Sequence, residues 1–239
     1  MKAYGIDVNL SGPIVNVATL QPTSQNFSPN ICPDQRVGNM ALINGNWQLL
    51  NSRILSRNTS GANSYNIDYG TKANGDYILL ILESPHIDEF EFATRLPFGP
   101  ACGKKSGSAG YDIDFWINNV FMNSPKFRSG LHKDSYRLIL MNSVQFQASC
   151  GTNPLQKSIR DSNWLTMWKN GFAKDLINRI RWYSASNENG EVIVVNLCTF
   201  GDAGLHYYVN SELRNNGISF YEGFHPALNW LQRKRRVIF

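Results

Sequence analysis

The sequence predicts an α/β protein: a three-layer α/β/α sandwich with a central, mostly parallel four-stranded sheet and a β-rich N-terminal extension. Three observations carry that expectation. Short apolar runs without polar alternation fall at 77–82, 136–144, 191–198 and 218–221. Runs of this kind suit strands buried on both faces. The stretches between them place apolar residues at helical spacing, and strands that alternate with helices imply parallel βαβ units.

The chain has 239 residues, 42% of them hydrophobic and 17% charged, which is enough to close a full core and excludes a disordered chain. We read one domain, with residues 1–75 as the extension and 76–239 as the α/β core. No apolar run is long enough to span a bilayer, and Asp7 interrupts the N-terminus before a signal-peptide core can form. A cytoplasmic monomer with no membrane partner is therefore expected. Cys32, Cys102, Cys150 and Cys198 are too far apart for a CxxC pair. They read as buried thiols, so no metal site and no cofactor is expected. The net charge of +5 fits a polyanionic partner.

In the extension, Ile6, Val8 and Leu10 alternate, and Ile14, Val15 and Val17 follow a Gly12–Pro13 turn. Residues 20–40 are rich in Pro, Asn, Ser and Gln and read as loop. Asn44–Gly45 separates two apolar runs and predicts a hairpin, because both turn positions need positive φ.

The core opens with the 77–82 run, which stops at Glu83–Ser84–Pro85–His86. Pro85 lacks a backbone donor and holds Ser84 extended, so the chain must leave the sheet there. Ile113, Trp116, Ile117, Val120 and Phe121 then mark a helix. The second strand, 136–144, carries the polar Asn142–Ser143 at its end. Trp164, Leu165, Trp168, Phe172, Leu176 and Ile180 share one face of a helix over 161–183, capped by Asp161 or Ser162. That aromatic stripe reads as core packing. After the strand at 191–198, residues 201–216 form a helix closed by Gly217. The strand at 218–221 leads into Phe224–His225–Pro226.

Ligands bind open α/β sheets at the carboxyl ends of their strands. Polar clusters stand at three such ends: Glu83–His86, Asn142–Ser143 and Phe224–His225–Pro226. With Pro97–Phe98–Gly99, they form an ordered set through which the chain, from about residue 76 onward, resembles the uracil-DNA glycosylase superfamily. Glu83–Ser84–Pro85 resembles the water-activating motif, closest to the Glu-Ala-Pro version of the iron–sulfur branch. Pro97–Phe98–Gly99 with Ala101 and Gly103 is similar to that branch's base-stacking segment. Asn142, within Leu140–Met141–Asn142–Ser143–Val144, matches the base-reading Asn. His225–Pro226–Ala227–Leu228 resembles the catalytic His-Pro-Ser loop, whose next residues wedge into DNA.

The chain departs from the pattern at several points. Leu82 stands where a Gly opens the first motif, Ser84 where the commonest uracil enzymes carry Asp, and His86 where a Tyr or Gly follows the proline. Ala227 replaces a Ser, and the iron–sulfur cysteine pattern is absent. The superfamily includes prokaryotic antiviral enzymes that excise bulky modified cytosines from phage DNA. The altered first motif makes such a base the expected substrate. A uracil or deaminated-base repair enzyme, or a catalytically silent DNA-binding relative, are the alternatives.

The resemblance implies a role for each residue. Glu83, or else Asp88, is the carboxylate beside the sugar, and His225 faces the leaving base. Phe98 stacks on the extruded base, Asn142 pairs with its edge, and Ser84 and His86 contact its 5-substituent. Lys104, Lys105, Arg233, Lys234, Arg235 and Arg236 contact phosphates, while Leu228 is a wedge and Trp230 is either wedge or core.

Overall fold

The computed structural model describes residues 4–9, 16–22, 28, 30–57, 62–148, 154–185, 189–200, 204–230 and 236–239. Alternating residues in the N-terminal stretch form β1 (Tyr4–Asn9) and β2 (Asn16–Pro22), an antiparallel pair that stands as its own two-stranded sheet. The turn predicted at Gly12–Pro13 lies outside the described residues.

The main sheet is built from β3 (Gln35–Ile43), β4 (Asn46–Leu50), β5 (Tyr77–Leu82), β6 (Ser135–Asn142), β7 (Val192–Asn196) and β8 (Tyr221–Glu222). Their order is β4-β3-β6-β5-β7-β8. β5 pairs in parallel with β6 and β7, and β7 with β8, whereas β3 is antiparallel to both β4 and β6. The expected four-stranded sheet is therefore corrected to a mixed six-stranded one. The reading of 20–40 as loop missed the start of β3, because Gln35 and Asn39 look polar in sequence. Gln35 is nonetheless fully buried, its Nε2 donating to Asn66 Oδ1 at 2.7 Å and to the Phe98 carbonyl at 3.0 Å. The β3–β4 turn has Asn44 at φ 49° and Gly45 at φ 77°, as its sequence predicts.

β5 lies between two parallel neighbours, and all six of its residues are buried. Tyr77, Leu79 and Ile81 join one apolar cluster, and Ile78, Leu80 and Leu82 join another on the opposite face. This is why the run shows no polar alternation. Helices cover both faces. α1 (Ala109–Met122) and α2 (Pro125–Ser129) pack on the second cluster through Ile113, Ile117, Val120, Phe121 and Phe127.

The long aromatic stripe is an interrupted helix: α3 (Pro154–Met167), a π turn over Trp168–Phe172, and α4 (Ala173–Ala185). The break sits at Gly171, whose φ of 116° no helix continues through. The helix begins seven residues before the caps expected at Asp161 and Ser162, with Pro154 in its first turn, where a missing N–H costs nothing. Trp164, Trp168, Phe172, Leu176 and Ile180 are core, as the stripe predicts. α5 (Leu205–Asn215) ends as expected. Gly217, at φ 68°, donates to the Arg214 carbonyl, and Ile218 to that of Leu213, both at 3.0 Å, the Schellman arrangement. A short α6 (Pro226–Asn229) follows β8.

Gly110, in the first turn of α1, lets that helix approach the 101–103 loop. An added Cβ would stand 1.9 Å from the Ala101 carbonyl oxygen and 2.9 Å from that of Gly103. Both partners are backbone, so the helix must move. Gly110→Ala is expected to destabilise the protein by roughly 1–3 kcal/mol, read from its urea midpoint. A gain in stability would show that the loop yields instead.

Among the described residues, Cys32, Cys102 and Cys198 are buried free thiols, and no helix is long and apolar enough to cross a membrane.

Candidate active site

Parallel pairing puts Leu82 opposite Asn142, so β5 and β6 end side by side. The pairing continues past both strands. Ser143 N–H donates to the Leu82 carbonyl at 2.7 Å, and Val144 N–H to that of Glu83 at 3.1 Å. The Ser143 hydroxyl and the Trp164 indole N–H also donate to the Glu83 carbonyl, at 2.5 and 3.0 Å. The backbone carrying Glu83 and Asn142 is therefore fixed by four bonds. Beside it, Gly223 N–H donates to the Asn196 carbonyl at 3.0 Å, which brings the turn before His225 to the same end of the sheet.

A pocket of about 460 Å³ opens there. Glu83, Ser84, His86, Asp88, Lys105, Asn142 and His225 all line it, and so do Glu89, Lys157, Arg160, Thr199 and the 106–108 turn. Seven buried side-chain polar atoms lack a hydrogen-bond partner among the described residues. Five of them are in this wall: Glu83 Oε2, Ser84 Oγ, His86 Nε2 and both amide atoms of Asn142. A buried unpaired polar atom costs about 1–3 kcal/mol, so five in one pocket mark a surface shaped for a polar ligand. A larger cleft of about 590 Å³ lies at the other end of the sheet, around Arg36, Arg53 and Arg137. It contains none of the unpaired buried atoms, which makes the smaller pocket the candidate site.

Each predicted side chain has a definite environment. Glu83 is buried, with Oε1 3.3 Å from Arg160 Nε and Oε2 unpaired. Arg160 also holds Asp161, at 2.5 Å, so it is anchored without consuming the second Glu83 oxygen. Asn142 is wholly buried. His225 is half-buried and caps α6, its Nδ1 accepting the Ala227 N–H at 3.3 Å. The neutral ring then carries its proton on Nε2. Burial lowers the His225 pKa. Glu83 raises it and Arg160 lowers it to lesser degrees, so the ring is neutral at pH 7. His86 accepts the Asp88 N–H on Nδ1 at 3.3 Å and leaves Nε2 unpaired. Asp88 is exposed, 3.4 Å from His86.

Other predicted residues lie elsewhere. Phe98 is half-buried with its N–H on the Glu89 carbonyl at 2.8 Å, but it is not in the pocket wall, and neither is Lys104. The two imidazoles are the only rings among the described lining residues. Trp230 is core, fully buried with its indole N–H on the Phe224 carbonyl at 2.8 Å, which removes it as a wedge. Arg236 is turned inward, its guanidinium 3.5 Å from the Trp116 ring centroid and bonded to the Trp230 carbonyl. That contact corrects the expectation of a free phosphate-binding side chain. Arg233, Lys234 and Arg235 lie outside the described residues, as does the side chain of Leu228. Exposed Lys157 and half-buried Arg160, unremarked in the sequence, join Lys105 as the basic residues of the wall.

Sequence reasoning also missed Glu89. It follows Asp88 in a single 3₁₀ turn at Ile87–Glu89, yet it is buried while Asp88 is exposed. Burial drives its carboxyl up to about 8, against smaller opposing effects from the Ala101 backbone, Arg57, the Asn142 amide and the His86 backbone. The only sequence signal was its place just before Phe90–Glu91–Phe92, an acid beside an alternating aromatic run.

The wall is braced from behind. Buried Arg179 holds Asp34 through both carboxylate oxygens at 2.8 and 2.9 Å, Asp175 at 2.8 Å and the Asn142 carbonyl at 3.0 Å. Burial opposes its charge, but Asp34 and Asp175 outweigh that and raise its pKa. On the other side, buried Arg57 binds the carbonyls of Pro100 and Ala101 at 2.5 and 3.2 Å. That contact holds Ala101 in a left-handed conformation, φ 56°, a strain of the kind stored at functional sites.

The chain matches no protein-family model, no curated protein and no solved structure in these comparisons.

Proposed function

We propose that this protein is a monofunctional DNA glycosylase. It hydrolyses the N-glycosidic bond of a flipped-out modified pyrimidine, preferentially a hydroxymethylated or glucosylated cytosine, and leaves an abasic site. One observation carries the reading. A carboxylate, an amide and an imidazole from three separate strand ends share one pocket in which five buried polar atoms are unpaired. The parallel pairing of β6, β5, β7 and β8 supports the finer architecture, a four-stranded parallel centre between helical layers.

Each group suits one part of the reaction. Breaking the bond leaves positive charge on the sugar and negative charge on the base. Glu83, with one oxygen on Arg160 and the other unpaired, stabilises the sugar cation and orients a water on it. Neutral His225 offers Nε2–H to the oxygen on which the base's charge gathers. Asn142 has a donor and an acceptor to offer a pyrimidine edge. Ser84 Oγ and His86 Nε2 are unpaired hydrogen-bonding groups that suit a hydroxylated 5-substituent. A site built for hydroxyls rejects a base that lacks them, because its own polar atoms stay unpaired. Lys105, Lys157 and Arg160 supply the local attraction for phosphates.

The test is competition among matched duplexes carrying hydroxymethylcytosine, glucosylated cytosine, uracil or ordinary bases, scored by strand scission at abasic sites after alkali. Faster release of the modified cytosines is expected. Uracil release with no action on them would leave a repair enzyme. Duplex binding without abasic sites on any substrate would leave a silent DNA-binding relative.

A further inference from the structure

Glu89 is a buried acid of the pocket wall that the chemistry above does not use. It is 8% exposed, and no basic side chain forms an ion pair with it among the described residues. Burial without a cation partner raises the Glu89 carboxyl to about 8, so it is mostly protonated at neutral pH. Arg57 acts on it as a counter-charge, but its guanidinium is committed to Gln35 and to the Ile54, Pro100 and Ala101 carbonyls. Cys32, with Sγ 4.0 Å from Glu89 Oε2, and Cys102 approach from neighbouring segments and are thiols. His86 and Asp88 flank it on its own turn. Glu83, Lys105, Lys157, Arg160 and His225 complete the titratable and charged groups of the wall. The Asn142 amide and the backbone N–H groups of Ala101 and His86 face the Glu89 carboxyl and favour its ionised form to lesser degrees than burial opposes it.

We infer that Glu89 and Asn142 together read the hydrogen-bonding edge of a cytosine-class base, and that Glu89 is the acid that protonates its N3 as the glycosidic bond breaks. This rests on the glycosylase reading and adds its acid and the groups that select cytosine derivatives. A carboxylic acid presents O–H beside C=O, and cytosine presents the N3 acceptor beside the N4 amino donor, so the two pair through two hydrogen bonds. In the step, the C1′–N1 bond breaks and its electron pair stays with the base. The Glu89 proton passes to N3, and the base leaves neutral. Water adds its oxygen to C1′ and releases a proton to Glu83, and solvent returns one to Glu89. Uracil already carries a proton on N3, so Glu89 has none to give there. The pairing therefore favours cytosine derivatives at the chemical step.

The experiment is single-turnover release of hydroxymethylcytosine from a duplex between about pH 6 and about pH 10. The wild-type rate should fall about tenfold per pH unit above about pH 8, as Glu89 ionises. Glu89→Gln keeps the size, a donor and an acceptor. It should be about a hundredfold slower at neutral pH and flat through the alkaline range, with duplex affinity retained and circular dichroism matching wild type. A wild-type profile that stays flat overturns the inference even without the variant. So does a variant that retains the wild-type rate or its alkaline fall. If wild type cleaves no duplex, the glycosylase reading fails separately, and the pairing is read from deoxycytidine binding by calorimetry. Affinity lost through about pH 8 in wild type but not in Glu89→Gln supports the pairing; no binding, or affinity independent of pH in wild type, overturns it.

Discussion

Replacing Glu83 with glutamine should slow base release by about a hundredfold or more while leaving duplex binding intact. The substitution keeps the shape of the side chain and removes its charge. What is lost is the stabilisation of the sugar cation and the orientation of the attacking water, which both depend on an ionised oxygen. The geometry makes Glu83→Gln a clean test, because Arg160 retains Asp161 at 2.5 Å and is not left without a carboxylate. The parallel Asp88→Asn should have little effect, since Asp88 is exposed and its carboxylate lies 3.4 Å from His86. The measurement is single-turnover cleavage beside duplex affinity. A fully active Glu83→Gln with an inactive Asp88→Asn would transfer the catalytic role to Asp88.

Arg179→Ala should cost about 3–5 kcal/mol of stability and cripple the site with it. Arg179 is fully buried and holds two carboxylates that are as buried as itself. Removing it takes the cation away from two buried acids, Asp34 and Asp175, and a buried charge without its counter-charge is far more costly than the pair. Among the described residues, Asp34 keeps the Tyr69 hydroxyl and the Gln145 amide, the latter at 3.0 Å. The Asn142 carbonyl also loses its 3.0 Å bond, so the end of β6 that carries Asn142 is freed at the same time. Arg179→Lys retains the charge but cannot span all these acceptors with one compact ammonium, and should fall between the two. Urea unfolding measures the loss. A variant within about 1 kcal/mol of wild type would show that the carboxylates find other partners or hold protons.

Much of the architecture was legible from pattern alone. The 77–82 run is the bounds of β5, because a strand flanked by parallel neighbours has no solvent face to mark with polar residues. Asn44–Gly45 specified its own turn, and Gly217 its own cap, since each depends on one residue's freedom at positive φ. Strand ends could be read where Pro85 and Pro226 interrupt the chain and where the polar Asn142–Ser143 ends an apolar run, and so Glu83, Asn142 and His225 could be named before any coordinates.

Other features were not legible, because they depend on partners distant in sequence. β3 looked like loop until its antiparallel pairing with β6 and the burial of Gln35 made a polar stretch a strand. The helix start at Pro154 was hidden by a polar first turn. Arg160 therefore could not be placed opposite Glu83, 77 positions away in the chain. Phe98 could be named as a stacking residue from its motif, but the path of its loop sets it outside the pocket wall.

The sequence by itself determined the alternation of strands and helices and the three polar strand ends, because hydrophobic period and turn chemistry are local properties. Only the tertiary structure decided which acid is buried. Asp88 and Glu89 are adjacent and chemically alike, yet the 3₁₀ turn sends one to solvent and the other into the wall. The Glu89 carboxyl rises to about 8 because the surrounding segments exclude water from it, and desolvation is set by everything that packs around a group rather than by its neighbours in the chain.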